Sequence, residues 1–176
     1  MACATLTTGR SLPCKSSAGG IKAIYVTTFG DLGEVTVSAG EVTSWTGTPT
    51  LYKYDVDGAT GVEQSITASP ENGTVFYTQT LTTTLKRLDK ATLVELDVLL
   101  KNRLSVIVED YNGNYLILGK DHGVNSSGGS ITTGQAFGDL SGFSGLTFQA
   151  LEQDPAFFVA SSLVTAAEDS TQIDPA

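Results

Sequence analysis

The chain has 176 residues, 40% of them apolar and 16% charged, with a net charge of −9. That length and apolar content suit one domain around one hydrophobic core and exclude disorder for the bulk of the chain. The acidic balance excludes nucleic-acid binding by phosphate neutralisation, which needs clustered lysine and arginine, and no run of eighteen apolar residues is present to span a bilayer.

The first fifteen residues, MACATLTTGRSLPCK, lack the basic-then-apolar pattern of a secretory signal. Cys3 and Cys14, the only cysteines, are therefore expected as two reduced thiols in a reducing compartment. With His122 as the sole histidine, the ligand set for a zinc site is missing.

Residues 1–19 form a polar N-terminal arm. Ile21 to Phe29, IKAIYVTTF, alternates with period two and predicts a strand. GEVTVSAGEVTSW follows as a small hairpin turning at Ala39-Gly40. LYKYDVDGATGVEQSIT reads as a second hairpin, whose turn Asp57 to Gly61 uses Gly58 and Gly61 for positive φ. After Pro70-Glu71-Asn72-Gly73 comes a long strand, TVFYTQTLTTTL. One of its faces carries Val75, Tyr77, Gln79, Leu81, Thr83 and Leu85, and the other carries Phe76, Thr78, Thr80, Thr82 and Thr84.

Leu85 to Arg103 is the one predicted helix. Leu85, Leu88, Thr92, Leu96 and Leu99 make a stripe flanked by Leu93 and Leu100, which should dock on a sheet. Val94 and Val98 fall on the opposite side and are candidates for contact with a partner. LSVIVEDYNGNYLILGK then predicts a hairpin with a type I′ turn at Asn112-Gly113. DHGVNSSGGSITTGQAFG reads as a long glycine- and serine-rich loop and a candidate contact arm, with Gly128, Gly129 and Phe137 among its contact residues. A strand around Leu146, Phe148 and Ala150 stops at Asp154-Pro155, FFVASSLV supplies the last strand, and residues 165–176 read as a flexible tail.

Chemistry-bearing patterns are sparse. Asp55, Asp57 and Glu63 lack the further ligands and flanking helices of a calcium loop. Asn72 and Asn125 match glycosylation acceptors, which without a secretory route are turn residues. His122 has no visible orienting partner, and Glu109, Asp110, Asp121, Asp139, Glu152 and Asp154 read as scattered surface acids. No phosphate-binding loop is present. The expectation is a non-enzyme with no cofactor and no metal.

The layout from about Gly20 to Val164 resembles the tail tube proteins of tailed bacteriophages, also called major tail proteins. It shares paired sheets, one helix reached from a threonine-rich strand, and an Asn-Gly hairpin directly after the helix. The closing segment GDLSGFSGLTFQALEQDPAFFV, in which Gly138-Asp139 leads into a Gly-Leu-Thr-Phe strand followed by Glu152 and Pro155, is the part most similar to the family. The resemblance implies a mainly β fold, a β-sandwich or partial barrel over residues 20–164 with one flanking helix. It also implies hexameric rings, joined sheet edge to sheet edge and stacked into a tube, a plan shared with contractile injection and type VI secretion machines. Such a chain is made in the bacterial host cytoplasm and resides in the virion tail. Its partners would be its own copies and other tail proteins: a tape measure, a baseplate or tail terminator, and a sheath where one exists. DNA would be passing cargo only.

On that view Thr78, Thr80, Thr82 and Thr84 are candidate lumen residues in an acidic conduit. Asp57, Gly58, Gly61, Gly128, Gly129, Phe137, Val94 and Val98 are candidate inter-subunit contacts. Alternatives are another virion part, such as a capsid decoration, tail completion or baseplate ring protein. A carbohydrate-binding module using Trp45, Tyr52 and Tyr54 is a further alternative.

Overall fold

The computed structural model describes residues 8–11, 14–169 and 171–173. Cys14 is exposed, while Cys3 lies outside the described residues, so the cysteine pair is not placed.

The fold is mainly β. Strands β1 (Ile21–Thr28), β2 (Val35–Ser38), β3 (Glu41–Trp45) and β4 (Leu51–Asp55) come first. Then follow β5 (Gly61–Ser69), β6 (Thr74–Lys86), helix α1 (Lys90–Lys101), β7 (Leu104–Asp110) and β8 (Tyr115–Leu118). The chain continues through β9 (Asn125–Thr132), β10 (Gly142–Glu152), β11 (Phe157–Val159), helix α2 (Ser161–Ala167) and β12 (Glu168–Asp169). Two sheets result: an eight-stranded curled sheet ordered β12-β4-β1-β7-β8-β11-β3-β2, and a four-stranded antiparallel sheet ordered β5-β6-β10-β9.

The main core lies between the sheets. Ile24, Val26, Val106, Val108 and Leu118 of the large sheet meet Leu81, Phe143, Leu146, Phe148 and Ala150 of the small one, and Leu96 and Leu99 of α1 close one side. A second core on the other face of the large sheet holds Ala23, Tyr25, Ile107, Ile117, Val42, Leu51 and Val159. Val164 of α2 completes it. The near-continuous apolar runs of β1 and β7 thus follow from burial on both faces.

Several expectations need correction. The helix begins at Lys90 and not at Leu85, because Leu85 is paired with Phe143 in the β6–β10 ladder. Arg87, at φ 68°, turns the chain, and Asp89 Oδ2 accepts from the Thr92 amide at 2.8 Å to cap the helix. Tertiary pairing has overridden a helical period at the strand's end.

β4 and β5 form no hairpin, since the Asp57–Gly61 turn passes the chain from one sheet to the other and β5 pairs with β6 instead. The Asn112-Gly113 turn is not type I′. Of its residues Gly113 alone has positive φ, and its amide donates to the Asp110 carbonyl, the pattern of a three-residue loop. Asp110 Oδ1 then accepts from the amides of Asn112 and Asn114, each at 2.8 Å.

The middle of the glycine- and serine-rich stretch, Asn125–Thr132, is a strand and not a loop: β9 pairs with β10, so its composition marks a sheet edge, while residues 133–138 stay in the loop that follows. FFVASSLV divides into β11 and a second helix, α2. Part of the expected flexible tail is structured as well, with Glu168 and Asp169 pairing with Leu51 and Tyr52.

Candidate assembly surface

The small sheet is two-faced. Gln79, Leu81 and Thr83 of β6 are buried, so the alternate residues Thr78, Thr80, Thr82 and Thr84 point away from the core. Cross-strand register extends that outer face to both edges. Thr82 stands opposite Thr147 and Gly61, Thr80 opposite Gln149 and Glu63, and Thr78 opposite Leu151 and Ser65. Beyond β10, Ser144 stands opposite Ser130 and Thr147 opposite Gly128. Hydroxyls and amides thus cover most of the sheet's outer face, interrupted by the exposed Leu151 and Phe76, and Glu63 is its single acid among these positions.

This face therefore carries hydroxyls and little of the chain's net negative charge. Lys86, at one end of β6, is neutralised by Asp57 at 2.6 Å. The hydrogen bond from Lys86 and its positive charge hold the Asp57 carboxyl below the usual carboxylate range.

Both edges of this sheet, β5 and β9, have no strand beyond them among the described residues. β9 carries no charged residue and β5 only Glu63, so neither edge has the lysines or prolines that usually guard one. Gly128 and Gly129 sit on the open β9 edge. Gly129 lies so close to Leu146 that a Cβ would come within 2.8 Å of its side chain.

Each of these edges carries one exposed isoleucine. Ile66 of β5 is 66% exposed, and Ile131 of β9 is 57% exposed. Leu93 and Leu100 of α1 flank a cleft of about 370 Å³ between the helix and β9, floored by Leu96, Phe143 and Leu146. Val94 and Val98 are exposed on α1, as their spacing predicted. Phe137 is fully exposed on the β9–β10 loop. Asp139 shapes that loop by accepting from the Gln135 and Ala136 amides at 2.8 Å each, which also keeps its carboxyl below the ordinary range. Gly58 turns with φ 74°, and Gly61 opens β5.

Two of the scattered acids are buried, not superficial. Glu109 accepts from Lys22 Nζ at 2.6 Å and from the Tyr25 hydroxyl at 3.0 Å. Burial and that carboxylate push the Tyr25 phenol well above its usual range. Glu152 Oε1 accepts from the His122 amide at 2.9 Å and from the Asp121 amide at 3.2 Å, and Oε2 lies 3.1 Å from His122 Nδ1. His122 is therefore oriented by a residue thirty positions away, a pairing that no local spacing signals.

Glu152 belongs to a set. Gln79 accepts from the Gly119 amide, and Gln64 from the Ala156 amide, each at 3.0 Å. All three are polar side chains on the core face of the small sheet, bonded to main-chain amides in the connections between the sheets. Their signal in the sequence was a polar residue recurring on an otherwise apolar strand face.

Of the three acids near the Asp57–Gly61 turn, Asp55 lies 3.5 Å from Lys53, Asp57 is engaged by Lys86, and Glu63 stands on the outer face of β5. Among the described residues, no group of three or more histidine, cysteine, aspartate or glutamate side chains converges. Trp45 packs against one core and Tyr54 against the other, so the three aromatic residues Trp45, Tyr52 and Tyr54 do not share one surface. Compared with protein-family models, curated proteins and solved structures, the chain matches none.

Proposed function

We propose that this chain is a self-assembling structural subunit that closes into rings through the edges of its small sheet, as in a bacteriophage tail tube. The observation that carries the proposal is the combination of two unguarded edges with a nearly uncharged, hydroxyl-covered outer face on one sheet. An open edge leaves backbone donors and acceptors unpaired, and another copy's edge is the partner that satisfies them.

The strand count favours a repeating junction. Four antiparallel strands make β5 and β9 run in opposite directions, so β5 of one copy meets β9 of the next with antiparallel pairing maintained. Joined in a ring of six, the number the tail-tube resemblance implies, such sheets exceed the strand count at which barrels enclose an open channel. The threonine row would then line the bore. A hydroxyl wall with one acid per subunit offers DNA no cationic site to hold it, and that suits a conduit through which phosphate must slide.

The proposed residence is the virion tail, with other tail proteins as partners. In this reading the exposed α1 face with Val94 and Val98 would meet a neighbour or sheath on the outside, and the loop bearing the exposed Phe137 would contact the next ring. Negative-stain electron microscopy and sedimentation of the purified chain, across a concentration series, test the proposal. Rings or tubes with an open bore are expected. A species that remains monomeric at high concentration, even with other tail components present, would overturn it.

A further inference from the structure

Resting on the ring reading above, we propose that the cleft between α1 and β9 is the socket for β5 of a second copy. In this arrangement Val62 stands beside Ile131, and Ile66 fills the cleft near Ser126. The partner is thus another copy of this chain, offset by a defined register.

The register comes from the ladders. Traced onto β6, β5 lies opposite Thr74–Thr82, its Gly61 facing Thr82 and its Ser69 facing Thr74. Traced through β10, β9 lies opposite Thr80–Lys86, since Asn125 meets Gln149, which meets Thr80, and Thr132 meets Gly142, which meets Lys86. The two edges are therefore displaced along the strand direction over the width of the sheet, by six residues at one end (Thr74 to Thr80) and by four at the other (Thr82 to Lys86). Closing a sheet into a barrel requires such a stagger, because the strands tilt against the axis. For a lone sandwich the displacement has no use, and it leaves each edge strand overhanging the opposite end.

Side-chain parity restricts the offset further. Val62 and Ile66 face the core side of the small sheet, opposite Leu81 and Tyr77, as do Ile131 opposite Phe143 and Ser126 opposite Phe148. An odd offset would turn the apolar residues of β5 onto the hydroxyl face, so only even offsets keep the two surfaces continuous. Of the two even displacements, six would carry Val62 past Thr132 at the end of β9, whereas four brings it to the level of Leu85, Phe143 and Ile131. Ile66 comes to the level of Leu81, Phe148 and Ser126, with the β9 bulge at Ser127 taking up the extra residue.

That level is where Leu93, Leu96, Leu100 and Leu146 surround the cleft. The two most exposed isoleucines among the described residues, Ile66 and Ile131, would both be covered by the same junction. Complementarity extends to charge, since Glu63 would face Ser130 on the outer side and meet no second acid.

Disulfide trapping tests the register in a Cys3→Ser/Cys14→Ser background. Val62 and Ile131 are separated within one molecule by β6 and β10, about 14 Å at ordinary strand spacing, too far for a disulfide. Any link between them is therefore intermolecular. Oxidation of the Val62→Cys/Ile131→Cys protein, after assembly is verified by microscopy, should give a covalent ladder. The Val62→Cys/Ser126→Cys protein, which reports an offset of zero, should stay unlinked.

Rings that form and link through the second pair, or through neither, would overturn the socket and register while leaving ring formation standing. Absence of any assembly would overturn both. Ile66→Asp supplies an independent arm: because the side chain is largely exposed in the single copy, the thermal midpoint should hold. The concentration needed for assembly should rise by about tenfold or more, from loss of a buried aliphatic group. Unchanged assembly by Ile66→Asp would also overturn the socket.

Discussion

The two sheets solve opposite problems with the same chain. The large sheet buries both faces of its central strands and receives β12 and the β2–β3 hairpin at its ends, so most of its surface is spent inside the molecule. The small sheet buries one face and leaves the other, with two full-length edges, to its surroundings. A composition-level property such as low charge means different things in the two places. In β1 and β7 it marks double burial; in β9 it marks an unguarded edge.

Substitutions break the comparison at its strongest point first. Phe143→Ala, at a side chain 1% exposed between the sheets, should cost about 3–5 kcal/mol in chemical denaturation, enough to threaten folding. A loss under about 1 kcal/mol would mean the small sheet contributes little to the shared core.

Glu152→Ala comes next. It removes the buried acceptor of the part-buried Asp121 and His122 amides, and about 1 kcal/mol should be lost by urea unfolding, with hydrogen exchange accelerated at those amides first.

The third test is pH. Burial raises the Tyr25 and Tyr54 phenols above their unfolded value near 10. The neutral phenol is the form favoured in the folded state, so this stability is fully present below pH 10. It is lost as pH rises from there toward the folded values. Denaturant midpoints should therefore fall above pH 10. Tyr54→Phe should make that fall shallower while leaving the midpoint at pH 7 close to unchanged.

The smallest effect belongs to the outer face. Thr80→Ala and Thr82→Ala should each change stability by less than about 0.5 kcal/mol in the same assay. Larger losses would mean that this face is packed against something within the single copy.

Much of this architecture was legible from periodicity. The faces of β6 were assigned residue by residue, the Ala39-Gly40 and Asn112-Gly113 turns fell where glycine was placed, and Val94 and Val98 were marked as outward. What escaped was set by partners distant in the chain. Leu85 satisfies a helical stripe and a strand face equally well, and only Phe143 opposite it decides between them. Asn125–Thr132 has loop composition but becomes a strand because β10 supplies a ladder. Glu152 and His122 carry no local mark of their pairing, and Ser161–Ala167 lacks any side-chain cap that would announce a helix. The outer face of the small sheet is partly legible through its threonines, whereas its two edges follow only from the strand order.

The three side chains that reach from the small sheet to main-chain amides in the connections between the sheets, Gln64, Gln79 and Glu152, have a mechanical consequence. Hydrophobic contact is non-directional and lets layers slip, but directed bonds do not. Sliding one layer past the other by a single residue would break all these tethers together, so the sandwich should behave as a dovetailed block under shear. Load applied along the strands would pass through the subunit without changing its shape.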